Sequence, residues 1–288
     1  MKIGPSAPNV KRNRKGEHSL TPISDPETTS LVQLLSPERL AALKELTGSD
    51  EIAIRLHQET LRLGADLMNV VATIEIALRN TVCANLSHHF GVPNWLFQPP
   101  VPFQWKQPEQ SKIAMALDSA RRAEYSKLSQ TEKGALDALA YPAGKPEAVS
   151  HLKRSRDRRR HINVTDGKVI AELTFYFWKR LYGPDYDQSL WRTSLKRTFP
   201  DKSIPRATVA EHLEQIYQAR NRLAHHEPVL RKRFEDTMIA IKFVAERLTA
   251  ASPNNKTALC NLIQTDVTEV RARAMALHTR LDSFRVPH

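Results

Sequence analysis

The chain has 288 residues, and its 43 Lys and Arg against 31 Asp and Glu give a formal net charge of +12. This excess of cations favours polyanionic partners. Glycine makes up 9 residues, about 3% against roughly 7% in average proteins, which argues against a turn-rich β-sandwich or propeller and for long helices. Cys83 and Cys260 lie far apart without C-x-x-C spacing, which excludes a zinc ribbon and a disulfide scaffold.

The amino-terminal residues contain no apolar segment of the secretory type. The longest stretch without Asp, Glu, Lys or Arg, from Asn80 to Trp105, contains four prolines and two histidines and is a poor membrane span. We therefore expect a cytoplasmic protein that makes no membrane contact. Residues 1–30 combine prolines and basic residues with few large apolar side chains, and they are interpreted as a flexible basic tail. The tail is either solvated or an arm that touches nucleic acid.

The remaining residues, 31–288, are predicted to form a single all-helical domain. Ser36-Pro37-Glu38 predicts a helix start, because Ser is a good N-cap and Pro suits the first helical position. A long helix follows over about Asp50–His89, with a possible interruption at Gly64. Its apolar residues recur at three- and four-residue steps and predict one buried face: Leu67, Val70, Val71, Ile74, Leu78, Val82 and Leu86.

A proline-rich loop over 91–108 carries Trp95, Phe97, Phe103 and Trp105, which we expect to hold it to the body rather than to bind a ligand. Further helices are predicted near 108–129, from Thr165 to Leu181, and near 187–198, 206–224, 232–250 and 254–284. Between the first two lies a linker, around 142–163, that is strongly basic. No run shows the alternation of a strand, so the predicted class is all-α.

The segment Gln218–Pro228 places cations and two histidines around a helix end. Glu227 precedes a proline, which disfavours the α conformation and predicts that the helix ends between Ala224 and His226. The negative end of the helix dipole interacts favourably with a cationic imidazole at His225. Histidine is the residue type that gains and loses a proton near neutral pH, as general acid–base catalysis requires. Asn221 lies one turn earlier and is placed to orient that ring.

Arg220 adds a planar cation able to bind a phosphate at two points. The alternative interpretation is a helix end with dipole-matched histidines and no catalysis. Arg-x4–6-His spacing alone is not specific, because it recurs at Arg12/His18, Arg154/His161, Arg206/His212 and Arg273/His278. The Asn after Arg220 and the helix end at His225 distinguish the present pair.

The run Arg220-Asn221-x-x-x-His225 resembles the Arg-x4–6-His signature of HEPN-domain ribonucleases. Its context resembles the Abi-like (AbiD/AbiF) abortive-infection proteins of bacteria. The matching stretches are Ile74–Asn80, Ala171–Trp178, Trp191 with Phe199-Pro200, and Arg220–Pro228, which together cover about 155 residues.

The resemblance implies a HEPN-type helical bundle with additional N-terminal and C-terminal helices. It also implies RNA cleavage without metal or other cofactor, by attack of the ribose 2′-hydroxyl on its own phosphodiester. His225 would transfer the proton, Arg220 would stabilise the transition state, and Asn221 would position either group. His226 is a second proton carrier or a solvated neighbour. One complete motif per chain implies a homodimer in which the two motifs face each other.

Two further groups are candidates for RNA binding. Arg79-Asn80 repeats the Arg-Asn pair without a following histidine; Arg79 is placed either for an ion pair with Glu75 or for a phosphate contact. Six cations also occur within eight residues, which is either a solvated linker or a surface for a phosphate backbone. They are Lys153, Arg154, Arg156, Arg158, Arg159 and Arg160.

The predicted function is a metal-independent endoribonuclease toxin of an abortive-infection, anti-phage system. Its expected partners are RNA, a second copy of the chain, and an antitoxin protein or non-coding RNA that neutralises it. The alternatives are a non-catalytic protein that holds a structured or guide-like RNA, and an interaction scaffold.

Overall fold

The computed structural model describes residues 24–144, 148–249 and 256–285, and within these ranges the protein is helical with no β-strand. The predicted all-α class is thus confirmed. The described residues form eleven α-helices: α1 Asp25–Leu35, α2 Pro37–Thr47, α3 Asp50–Phe90, α4 Gln107–Lys127, α5 Gln130–Ala140, α6 His151–Arg159, α7 Asp166–Glu172, α8 Phe175–Arg180, α9 Arg206–Ala224, α10 Arg231–Arg247 and α11 Ala258–Asp282.

The described part of the chain falls into two compact units, and the single domain expected for 31–288 stays a prediction. Of the described residues, the first unit contains 24–59 and 283–285, and the second contains 60–282. In the first unit, α2 ends at Gly48, whose φ of +66° suits glycine and whose N–H donates to the carbonyl of Lys44. Most of the predicted tail, residues 1–23, lies outside the described residues. Its last residues, 25–30, belong to α1, where Pro26 and the acidic first turn favour a helix start.

Helix α3 is continuous through Gly64, so the interruption considered at that residue does not occur. The predicted apolar face is confirmed, because all seven of its residues, from Leu67 to Leu86, are fully buried. Gly91, with φ of +67°, ends the helix. The following loop is held to the body as predicted: the Trp95 indole N–H donates to Ser87 Oγ at 2.8 Å, and the Trp105 ring contacts Phe177 and Tyr186.

The prediction of a linker around 142–163 is wrong, because the centre of this segment forms helix α6. Helix α6 packs against α5, a helix that was not predicted from the sequence. Two caps explain both helices. Ser129 and Glu132 form a reciprocal capping box at the start of α5, and the Ser150 hydroxyl accepts the Lys153 N–H at the start of α6. Asp137 on α5 accepts hydrogen bonds from Arg154 and Arg158 and so offsets the charge of α6.

The helix predicted from Thr165 to Leu181 is broken into α7 and α8. The break occurs at Leu173-Thr174, where both residues have extended backbone, with ψ of 122° and 166°. The helix predicted near 187–198 is replaced by short 3-10 and π-helical turns between Pro184 and Thr198. Three residues of these turns are buried in the core: Tyr186, Leu190 and Leu195.

Helix α9 packs against α8 and α10, and α10 packs against α11. Helix α9 also lies close to α3, because the side chain of Leu223 would lie 3.4 Å from a Cβ added at Gly64. At the start of α10, His278 of α11 accepts the backbone N–H of Arg231 at 3.1 Å. Among the described residues, no helix is both long enough and apolar enough to cross a membrane.

Candidate nucleic-acid interface

Helix α9 ends where the sequence predicts. Ala224 is the last helical residue, and His225 leaves the helical conformation with φ of −95° and ψ of 12°. The chain then reverses: the His226 backbone has φ of +56°, and the Glu227 N–H donates to the carbonyl of Arg222 at 2.8 Å. Both histidines are exposed, so the end of α9 presents two imidazoles to solvent.

One turn before this end, Arg220 and Asn221 line an open cleft of about 300 Å³. The other lining residues are Lys112 of α4, Tyr217 of α9, and Thr174, Phe175 and Tyr176 at the start of α8. Tyr217, Arg220 and Asn221 share the cleft because residues three and four positions apart occupy one face of a helix. The cleft therefore combines two cations, an amide and aromatic rings.

Glu75 of α3 lies beside Arg220, with its Oε2 3.9 Å from the arginine Nε. Burial raises the pKa of the Glu75 carboxyl, and this effect is opposed by the charges of Arg220 and Arg79 and by the N–H of Phe175. The carboxylate thus stands between the two Arg-Asn pairs of the sequence. The ion pair predicted between Glu75 and Arg79 is not formed at contact distance among the described side chains, since the close partner of Glu75 is Arg220.

The histidines stand apart from the cleft. His225 is five residues beyond Arg220, which places the two positions about 140° apart around a helix axis. In the part of the chain that the structure describes, the hydrogen bond joining Asn221 and His225 is the backbone one, so the predicted orientation of the ring by the Asn221 amide is not present. His226 lines a different, mostly apolar pocket of about 380 Å³ between α3 and the end of α9.

Arg79 and Asn80 also lie outside the cleft lining. Arg79 is half-buried, and its Nε donates to the Asn80 side-chain oxygen at 3.4 Å, whereas Asn80 is exposed. The charge of Arg79 acts on Glu75 and on Cys83, the thiol of which has its pKa raised by burial to about 12. Arg79 thus affects the cleft through its charge on Glu75, without lining the cleft itself.

The sequence did not single out the aromatic wall of the cleft. The rings of Phe175 and Tyr217 are nearly parallel, 8° apart with centroids separated by 6.4 Å, and Tyr176 contacts Tyr217 at 5.8 Å. The Lys179 ammonium lies over both tyrosine rings, at 5.2 and 4.5 Å, and is held by Glu214 at 2.5 Å. The sequence carries only a partial signal: the spacing of Tyr217 to Arg220 and Asn221 places these three residues on one face of α9.

The basic run on α6 has two faces. On the inner face, Arg154 and Arg158 both bind Asp137, and the Arg158 side chain is 10% exposed and also donates to the Tyr125 hydroxyl. These contacts hold the pKa of the Asp137 carboxyl well below its ordinary value. Arg159, 13% exposed, lies 3.5 Å from Asp118 of α4. These three arginines hold α6 to its neighbours.

On the outer face, Lys153, Arg156 and Arg160 line an open groove of about 660 Å³ with residues of the α5 end. Lys153 and Arg160 are 63% and 68% exposed and lie 3.5 and 3.6 Å from Asp157. Three cations around one carboxylate leave a net positive surface. Of the six cations predicted to bind phosphate, these three are accessible to a polyanion.

In the described ranges, no group of three or more His, Cys, Asp and Glu side chains is placed to hold a metal ion. Comparisons with protein-family models, with curated proteins and with solved structures give no significant match. The resemblance to Abi-like and HEPN proteins therefore rests on the sequence motifs alone.

Proposed function

We propose that this protein is a metal-independent endoribonuclease of the HEPN type, with Arg220 and His225 as its catalytic residues. The observation that carries the proposal is the cleft at the end of α9, where Arg220 and Asn221 meet Lys112 and two tyrosine rings. Proteins bind unpaired RNA with cationic side chains that contact the phosphates and aromatic rings that stack on the bases. The excess of positive charge over the chain supports the same class of ligand.

The proposed reaction needs only groups that the motif supplies. His225 accepts the proton of the ribose 2′-hydroxyl, whose oxygen attacks the adjacent phosphorus. Arg220 binds the non-bridging oxygens as negative charge builds up on them. The bond from phosphorus to the 5′-oxygen breaks, and that oxygen takes the proton back from the same His225 imidazolium. The products are a 2′,3′-cyclic phosphate and a 5′-hydroxyl.

The exposed position of His225, outside the cleft of its own chain, supports a site shared between two chains. In the biological setting we propose a cytoplasmic toxin of an abortive-infection system. An antitoxin protein or non-coding RNA that covers the cleft would neutralise it.

The test is incubation of purified protein with total RNA in the presence of EDTA. Cleavage is expected, with 2′,3′-cyclic phosphate ends. Loss of the proton carrier in His225→Ala should abolish it, and Arg220→Ala should lower the rate by roughly 100- to 1000-fold, as for loss of a donor to a developing oxyanion. Arg220→Lys should not restore the rate, because a point charge does not replace a planar fork.

His88→Ala is a matched control, since it removes an exposed histidine from the last turn of another helix, α3. It should cleave like the wild type. Equal cleavage by His225→Ala and wild type, at equal purity, would contradict the catalytic assignment.

The second candidate is an RNA-binding protein without catalysis. The separation of His225 from the cleft favours it, because the cleft and the outer face of α6 bind phosphates without any histidine. It predicts RNA binding by the wild type and intact RNA after incubation.

A further inference from the structure

One wall of the Arg220 cleft is made of aromatic rings. Tyr176 and Tyr217 are half-buried and come from two different helices, and Phe175 lies buried beside them. Lys179 is fixed between the two tyrosines by its contacts with both rings and with Glu214. The two rings are therefore held in place before any ligand arrives.

The wall also contacts a second cation, Lys112. The Lys112 ammonium lies 5.6 Å from the centroid of the Tyr176 ring, and among the described residues it has no carboxylate within ion-pair distance. A cation over a ring that is partly open to solvent is held weakly, whereas a base stacked on an aromatic side chain is held more strongly. A base is therefore able to replace Lys112 on the ring and leave the ammonium to a phosphate.

We infer that Tyr176 and Tyr217 form a base-stacking subsite for the nucleotide whose phosphate is bound by Arg220. This inference rests on the proposed function and specifies how that site holds its substrate. Tyr217 lies three residues before Arg220 on the same face of α9, so the ring and the guanidinium are adjacent, as are the base and the phosphate of one nucleotide. Asn221, in the same cleft, offers both a donor and an acceptor to the edge of the base.

The nature of the wall identifies a base rather than a bare phosphate chain as its ligand. Phosphate groups gain nothing from an aromatic face, while every nucleobase has one. Lys112, Arg220 and the rings thus divide the binding between an ionic part, which depends on salt, and a stacking part, which does not.

The experiment compares two probes, an oligouridylate of about 12 nucleotides and an inorganic polyphosphate of similar charge. Binding is measured in full-length protein carrying His225→Ala, so that the RNA stays intact. To this background we add Tyr176→Leu or Tyr217→Leu, which remove a ring, and Tyr217→Phe, which keeps it. Phe243→Leu is the matched control, because Phe243 is a half-buried ring with a cation above it that does not line the cleft.

Each Leu variant should bind oligouridylate roughly 5- to 100-fold more weakly, since one stacking contact is lost. Its affinity for polyphosphate and its salt dependence should be unchanged, and Tyr217→Phe and Phe243→Leu should behave like the parent. Unchanged oligouridylate binding by both Leu variants would overturn the inference. So would an equal loss of both probes, which indicates a damaged fold or an ionic effect.

The two proposals fail separately. If the wild type cleaves no RNA but the Leu variants lose only the oligouridylate, the stacking subsite stands and the nuclease does not. If the wild type cleaves RNA and the Leu variants bind both probes as before, the nuclease stands and the subsite is refuted.

Discussion

The guanidinium of Arg220 lies between a half-buried carboxylate and an open cleft. At this distance Glu75 does two opposing things. It attracts the guanidinium and so limits the orientations available to it, and it also offsets part of the positive charge that a phosphate would meet. In the proposed mechanism we therefore expect Glu75 to act as a positioning residue whose effects on binding and on the chemical step have opposite signs.

We predict that Glu75→Gln binds RNA a few-fold more tightly and cleaves it about 10-fold more slowly at saturation. The amide keeps an acceptor for the Phe175 N–H but removes the charge that restrains Arg220. Single-turnover cleavage and filter binding measure the two effects separately.

Glu172→Gln is the control, because it removes an exposed carboxylate at the end of α7 that does not line the cleft. Parallel loss of binding and cleavage in Glu75→Gln, with a lower melting temperature, would show a structural role only.

Helix α6 shows how one element uses identical side chains for different purposes. The spacing of Arg154 and Arg158 at i and i+4 turns both to Asp137, whereas Lys153, Arg156 and Arg160 fall on the solvent side. From the sequence the six cations are equivalent. Which cations face inward depends on Asp137 of α5, a helix that was not predicted from the sequence.

We predict that replacing Lys153, Arg156 and Arg160 by Ser lowers the slope of log affinity against log salt by about 2, at about 0.7 per phosphate contact on single strands. The melting temperature should stay the same, because these side chains are exposed or bound only to Asp157. Turnover at saturating RNA should also change little, since such contacts bind substrate and transition state alike.

Arg154→Ser with Arg158→Ser is the matched variant on the inner face. It should lower the melting temperature, because Asp137 loses both partners, and leave the salt slope unchanged. If the slope fell in the Arg154/Arg158 variant and stayed unchanged in the Lys153/Arg156/Arg160 variant, the inner face rather than the outer face of α6 would be the phosphate-binding one.

At the scale of the whole molecule, the sequence predicted what periodicity and proline placement determine. The buried face of α3 and the end of α9 follow from apolar spacing and from Pro228, which are local signals. The cleft wall does not, because it combines Tyr217 of α9 with Phe175 and Tyr176 of α8, which are distant in sequence. Long-range contacts of this kind leave no periodic trace.

The quaternary arrangement of the proposed nuclease is also a property of the whole molecule. One chain offers one complete Arg220/His225 motif, and it places Arg220 in a cleft that His225 does not line. If the proposed catalytic centre needs both groups at one phosphate, we expect His225 of a second copy to complete it. The exposed end of α9 and the apolar pocket beside it, lined by Leu61, Met68 and Pro228, provide a surface for that contact.

We predict a homodimer by light scattering and complementation between inactive chains. A mixture of His225→Ala and Arg220→Ala chains forms some heterodimers, in which one composite site combines an intact Arg220 with an intact His225 from the other chain. At equal mixing, half of the dimers are mixed, and each carries one such site of two, so activity should recover to roughly a quarter of wild type under random exchange. Each variant alone should stay inactive at the same total concentration. A monomer that cleaves at the full rate, or a mixture as inactive as its parts despite proven subunit exchange, would place both groups at one phosphate within a single chain.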